Sequence, residues 1–241
     1  FLLLALPAFT AAQERNATQI VRDAIDHWRG QTSYTVMTMV IHRPDWERSM
    51  TMEAWTKGDD HSLVRVIEPK KDRGNGTLTD KNSMWTFSPK INRVIKVPSS
   101  MMGQSWMGSD FSNKDISRAD DIIDLYAHTI LSTSEDDGIT VYRIESIPNE
   151  DAAVVWGKIV YRINKTPQVP DQIDYYDEDM VRVREIHFDD VQQIGDRIVP
   201  MRLTVLPLEK PDEQTILHYR ELVFDLPIDE TYFSLRNLKK P

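Results

Sequence analysis

The chain has 241 residues, with 29 Lys and Arg against 38 Asp and Glu, a net charge of −9, 40% hydrophobic residues and no cysteine. This acidic balance excludes a nucleic-acid binder that relies on a basic surface, and apolar content near the globular norm excludes disorder of the whole chain. Without cysteine there are no disulfides, thiolate metal sites or cysteine nucleophiles, and no cysteine that could be acylated as a lipid anchor.

The run from Phe1 to Ala12 is apolar throughout and ends in small residues. It reads as the tail of a secretory signal with Thr10 and Ala12 at the small positions. Residues 1–12 are therefore expected to be a signal remnant, and 13–241 a single domain, soluble and extracytoplasmic. No stretch approaches the ~20 apolar residues of a membrane span.

Ala17, Ile20, Val21, Ala24, Ile25 and Trp28 recur at spacings of three and four, which predicts a helix over 14–30 that stops at Gly30. The period then changes to two. Short strands are predicted at 33–41, 50–56, 62–67, 77–79, 83–87 and 93–97. Residues 98–112 fit neither period, and helical spacing returns over 113–131, with Ser112 or Asn113 as its cap. Strands resume at 139–147, 153–163, 172–176, 181–188, 201–206 and 215–224, and one helical turn closes the chain. Short connections imply antiparallel neighbours. The expected fold is mainly β, one antiparallel sheet of about ten or eleven strands with helical insertions. A twisted sheet of that size must close or be covered.

Catalytic and metal patterns are weak. The six histidines form no HxH or HExxH arrangement. Asp174, Asp177, Glu178 and Asp179 are the densest carboxylates and the only glycosidase-like candidates, but Asp177-Glu178-Asp179 falls where a hairpin turn belongs. Asp110-Phe111-Ser112-Asn113-Lys114-Asp115 departs from a calcium loop, with lysine at the third oxygen position and no glycine after it. No phosphate loop or GxSxG elbow is present. We therefore expect no catalytic residue, no metal and no cofactor.

Methionine is distributed unevenly. Eight of the ten fall in the first half of the chain, and methionine suits surfaces that accommodate variable ligands. Together with the glycine-broken segment 101–111 they fit the lining and lid of an apolar cavity. The candidate lid or mouth residues are Met101, Met102, Trp106, Met107 and Phe111. The candidate wall residues are Met37, Met39, Met50, Met52 and Trp85. Period two leaves open which strand face is concave.

Several runs carry a family resemblance. They are Pro69-Lys70-Lys71-Asp72-Arg73-Gly74 with Gly76-Thr77-Leu78, Met84-Trp85-Thr86-Phe87-Ser88-Pro89-Lys90, Arg93-Val94-Ile95-Lys96-Val97-Pro98 and Trp106-Met107-Gly108-Ser109-Asp110-Phe111-Ser112-Asn113. Asp174-Tyr175-Tyr176-Asp177 and Ile198-Val199-Pro200 extend them. From about residue 30 to its end the chain resembles the outer-membrane lipoprotein-sorting, LolA-like family. The resemblance implies a strongly curved, half-open antiparallel barrel whose concave apolar face is lidded by helices. It also implies a periplasmic carrier of lipid or lipoprotein acyl chains, with an inner-membrane transporter as donor and an outer-membrane acceptor. The alternatives are a sensor or accessory subunit of an envelope complex, which would use the same sheet to recognise a partner, and a hydrolase built on the carboxylates near Asp174.

Overall fold

The computed structural model describes residues 16–117, 121–152 and 154–240; the expected signal remnant lies outside them. Helix α1 (Ala17–Arg29) is capped by Asn16, whose side chain accepts the Gln19 N–H. It ends at Gly30, which has φ 70° and whose N–H returns to the Asp26 carbonyl. A Cβ on Gly30 would lie 2.7 Å from the Phe224 ring, so neither the backbone angle nor the space admits a side chain. The buried stripe of α1 is Ala17, Ile20, Val21 and Ala24.

Six strands follow: β1 (Thr32–Arg43), β2 (Trp46–Lys57), β3 (His61–Glu68), β4 (Gly76–Asp80), β5 (Ser83–Ser88) and β6 (Arg93–Lys96). A connecting segment carries a 3-10 turn (Ser99–Met101) and two one-turn helices, α2 (Asn113–Ser117) and α3 (Asp121–Leu125). Seven more strands come next: β7 (Tyr126–Asp136), β8 (Ile139–Pro148), β9 (Lys158–Asn164), β10 (Pro170–Tyr176), β11 (Arg182–Ile194), β12 (Arg197–Pro207) and β13 (Gln214–Phe224). A 3-10 turn (Glu230–Tyr232) and α4 (Leu235–Leu238) end the described chain.

All thirteen strands form one sheet in the order β6-β5-β4-β3-β2-β1-β13-β12-β11-β10-β9-β8-β7, and the sheet is not closed into a barrel. Every strand pairs antiparallel with its sequence neighbour except at one seam, where β1 pairs with β13. Consequently β6 and β7, joined directly by the connecting segment, are the two edges of the sheet. The chain must carry that segment from one edge to the other.

The expected mainly-β antiparallel fold is present, with two corrections. The helix read over 113–131 is only α2 and α3 (residues 118–120 lie outside the described residues), and Tyr126 to Leu131 begins strand β7. Tyr126 and Ile130 satisfy helical spacing, but Tyr126, His128 and Ile130 also alternate. Here β8 supplies backbone partners, pairing Tyr126 with Pro148 and Ile130 with Ile144. The added strand helps take the count past ten or eleven to thirteen. The strand read from Ala153 starts at Lys158; Ala153 is outside the described residues, and Trp156 packs against the core from a loop.

The two faces of the sheet bury different clusters. The larger cluster joins Met39, Met52, Val66, Ile144, Tyr161 and Phe188 with the apolar stripe of α1, and with Trp106 and Phe111 of the connection. This is the inner face. On the outer face Leu63, Leu78 and Phe87 pack under Phe233 and Leu238 of the C-terminal segment. Gly76 allows that approach, since a Cβ there would come within 2.8 Å of the Leu238 side chain.

Candidate functional site

The inner face of the first half is set by strand register. Met37 stands opposite Met52, and Met39 opposite Met50, so four of the five candidate wall residues form two cross-strand pairs, all buried. Trp85 is placed elsewhere. Its neighbour Met84 takes the inner side, and strand alternation sends Trp85 to the outer cluster. There Lys96 stands over its ring, 5.5 Å from the centroid.

The connecting segment covers the inner face. Trp106 N–H donates to the Phe111 carbonyl at 2.7 Å and Ser109 N–H to the Trp106 carbonyl at 3.0 Å. Met107 and Gly108, at φ 52° and 82°, turn the chain between them. This tight loop delivers Trp106 and Phe111 side by side into the main cluster, 2% and 6% exposed. The Trp106 indole N–H donates to Thr77 Oγ1 of β4 at 3.0 Å, which satisfies the one polar atom the ring carries inside. Met102 and Met107 are half-buried against the same cluster, and Met101 is exposed.

Two ion pairs fasten the loop to both halves of the inner face, one through β1 and one through β11. Asp110 takes a bidentate bond from Arg43 of β1, with Nη2 to Oδ1 at 2.9 Å and Nη1 to Oδ2 at 3.1 Å. It also accepts the Thr215 hydroxyl of β13 at 2.6 Å. Glu213 shares Arg43 through its Nε at 3.1 Å. Five residues on, Asp115 takes a bidentate bond from Arg184 of β11 at 2.7 and 3.1 Å. Arg184 Nη1 also reaches the Asp110 carbonyl at 3.4 Å. The guanidinium packs against the adjoining rings of Tyr175 and Trp156, 4.1 and 4.5 Å from their centroids, which are themselves 5.0 Å apart.

Electrostatics follow this arrangement. Burial would raise the Asp115 carboxyl. The Arg184 charge and the hydrogen bonds from Arg184 and Ser112 outweigh burial and hold it below the usual carboxylate value. Burial pushes the Tyr175 hydroxyl up to about 12 against the opposing pull of Arg184. Asp115 and Ser112 also cap each other across the start of α2: the Asp115 carboxylate accepts from Ser112 N–H and hydroxyl, and Ser112 Oγ accepts from Asp115 N–H. The Ser112 cap read from sequence is present, and the carboxylates that mimic a calcium loop are held by arginines.

The other carboxylate candidates do not converge. Asp174 accepts from Gln172 at 2.7 Å, while Asp177 accepts the Val181 N–H and shapes the hairpin turn, with Glu178 and Asp179 exposed. Among the described residues no three His, Asp or Glu are placed to hold a metal, and no helix is long and apolar enough to cross a membrane.

Sequence reasoning missed Arg43 and Arg184. A signal existed. Arg43 continues the period-two row Met37, Met39, Ile41, and Arg184 opens the row Ile186, Phe188. A charge in register with a buried apolar row asks for a buried partner.

The fold is an open, thirteen-stranded antiparallel sheet whose inner face is covered by a segment joining its two edge strands. A family model described as "Uncharacterized protein" matches residues 58–240, more than half of the chain, and the chain belongs to that family. No curated protein matches. Among solved structures, the chain is similar to an outer membrane lipoprotein-sorting protein domain from Vibrio parahaemolyticus at 20% identity and TM-score 0.81, covering 93% of this chain and 98% of that one. It is similar to a DUF1329 family protein from Desulfovibrio piger at 22% identity and TM-score 0.83, covering 92% and 97%. It is also similar to a LolA superfamily protein from Nitrosomonas europaea at 21% identity and TM-score 0.76, covering 92% and 99%. The LolA-like resemblance of the sequence thus holds as a likeness of fold.

Proposed function

We propose that this protein is a periplasmic carrier of lipid or lipoprotein acyl chains, with 1–12 a signal remnant and 13–241 one domain. An inner-membrane transporter would load it and an outer-membrane acceptor would unload it. The observation that carries the reading is the seating of Trp106 and Phe111, on a segment tied to both sheet edges, against an inner face lined by paired methionines.

Magnitudes favour exchange. Burial of one large apolar side chain contributes about 3 kcal/mol, so withdrawing Trp106 and Phe111 costs about 6 kcal/mol. A hydrocarbon tail gains about 0.8 kcal/mol per methylene, or roughly 10 kcal/mol for a palmitoyl-length chain before ordering costs. A tail can therefore offset the withdrawal of the two aromatics, while the loop's ion pairs and the ordering of the tail draw on the remainder, which suits a carrier that must also let go. Methionine walls adapt to either occupant. The reading requires no covalent step.

Native mass spectrometry of detergent-free protein incubated with 1-monopalmitin tests it. We expect adducts at the lipid mass, and fewer of them in a Met39→Glu/Met52→Glu variant that remains folded. A clean apo mass at every lipid concentration would overturn the carrier.

A sensor or accessory subunit is the second reading, favoured by β7. It is an eleven-residue edge strand, largely exposed, with Ile130 and Leu131 at the surface, and such an edge can be extended by a partner strand. If that is its role, charges at Ile130 and Leu131 would abolish co-purification of a membrane complex while lipid binding stayed absent.

A further inference from the structure

The buried charge on Arg184 has no explanation in a plain hydrocarbon carrier. It stands in a row with Ile186 and Phe188, where an apolar residue would cost less. Its side chain is 7% exposed. Two aromatic rings hold the guanidinium plane. Its charge partner, Asp115, comes from the very segment that must move to uncover the inner face. Its Nε–H is buried with no acceptor among the described residues, and so are the Tyr161 hydroxyl of the same inner face and the Ser117 hydroxyl of α2. Arg43 is adjacent, because Asp110 gives its carboxylate to Arg43 and its carbonyl to Arg184. Arg43 keeps Glu213 when the loop leaves; Arg184 loses the Asp115 carboxylate and keeps Tyr175 and Trp156 beside it.

We propose that Arg184, with Arg43 beside it, is an anion subsite for the head group of the acyl ligand, and that Asp115 and Asp110 occupy it in place of that head group in this structure. This inference rests on the carrier reading and names its substrate class: single- or double-chain amphiphiles whose head carries a phosphate or carboxylate. Removing one partner of a buried pair is strongly unfavourable. A neutral lipid that displaces the loop leaves Arg184 unpaired, whereas an anionic one replaces Asp115 oxygen for oxygen through the same bidentate fork. The loop's aspartates act as an internal competitor, so the site discriminates by charge even though most binding energy comes from the tail.

The test compares three probes on the full chain at low salt: 1-palmitoyl lysophosphatidic acid, 1-monopalmitin with the same tail and no phosphate, and glycerol 3-phosphate with no tail. We expect the phosphate-bearing lipid to bind at least about tenfold more tightly than monopalmitin, and glycerol 3-phosphate to bind weakly. Arg184→Met should remove the preference: lysophosphatidic acid should bind less tightly, and monopalmitin, which no longer strands a buried charge when it displaces the loop, at least as tightly as to the parent chain. Asp115→Asn, which keeps Arg184 and the cap at Ser112, should tighten the lysophosphatidic acid complex; it keeps the question answerable if the methionine variant fails to fold. Equal affinities for the two lipids, or a preference that survives Arg184→Met, would overturn the head-group subsite and leave the carrier standing. Glycerol 3-phosphate binding as tightly as the lipid would also overturn it, in favour of a free-phosphate site. Binding of no probe would end both readings.

Discussion

Thr77 is completely buried on β4, and its hydroxyl accepts the Trp106 indole N–H. That bond joins the covering loop to the first half of the sheet, while the Asp110 and Asp115 pairs join it to the strands from β1 through β11. Thr77→Val keeps the shape and removes the acceptor, so it strands an indole N–H in an apolar setting. An unsatisfied buried donor costs about 1–3 kcal/mol. Urea unfolding should report a loss of that size. If the loop is the gate, stopped-flow uptake of a fluorescent fatty acid should also become faster in this variant. Lost stability with unchanged uptake would make Thr77 a packing residue only.

At the scale of elements, the weakest part of the cover is α3, which has five residues and leans on β7. His128 of β7 anchors it. Nε2 lies 3.2 Å from the Ile123 carbonyl, a distance at which its N–H donates, which leaves Nδ1 to accept the Ser146 hydroxyl at 2.6 Å. Burial lowers the His128 pKa and the nearby Arg22 charge adds to this, while the Ile123 bond opposes them. Arg22 of α1 is itself paired to Asp124 of α3 at 3.1 Å. A folded-state value below the unfolded value of about 6.5 means that the unfolded chain takes up the proton first. The contribution of His128 is therefore complete above about pH 6.5 and is lost as pH falls through the folded-state value. The protection of amides 121–125, corrected for the intrinsic pH dependence of exchange, should fall as the pH drops below about 6.5, and His128→Gln should flatten that dependence. An unchanged profile in the variant would assign the acid response to other groups.

Elements also set the limit on what the sequence conveyed. Strands β1 to β5 were legible because β-favouring residues run between turn signals, as from Tyr34 to Ile41 before Pro44, and α1 because its stripe keeps one period between Asn16 and Gly30. β7 was not legible, because its side chains are almost all exposed and the short alternation of Tyr126, His128 and Ile130 coincides with the helical spacing of Tyr126 and Ile130. The buried methionine pairs could be named and their face could not, since period two is symmetric until a neighbour such as Met84 is placed; Trp85 packs on the opposite face from them. The ion pairs were out of reach. Arg43 and Asp110 are 67 residues apart, and Arg184 and Asp115 are 69 apart. Only the closing of β1 onto β13 brings the two halves under one loop.

That seam decides how the whole molecule can open. Because β6 and β7 are the sheet edges and the covering segment joins them directly, the cover is held at both ends and can move only as a flap whose free part is the Trp106–Asp115 loop. Its central fastening is the contact of Asp110 with Thr215, where the side chains touch at 2.6 Å and the Asp110 N–H reaches Thr215 Oγ1 at 3.0 Å. The chain has no native cysteine, so Asp110→Cys with Thr215→Cys offers a single intramolecular disulfide at a spacing such a bond can span. Oxidised, this variant should take up no fluorescent fatty acid, because Trp106 and Phe111 stay seated. Reduced, it should load at least as fast as the parent chain, since Arg43 then lacks the Asp110 carboxylate and the loop is looser. The same molecule measured in both states cancels any effect of the substitutions on folding. Uptake that ignores the redox state would place the ligand somewhere other than beneath the loop, and a flap tethered at both edges would then have no gating role.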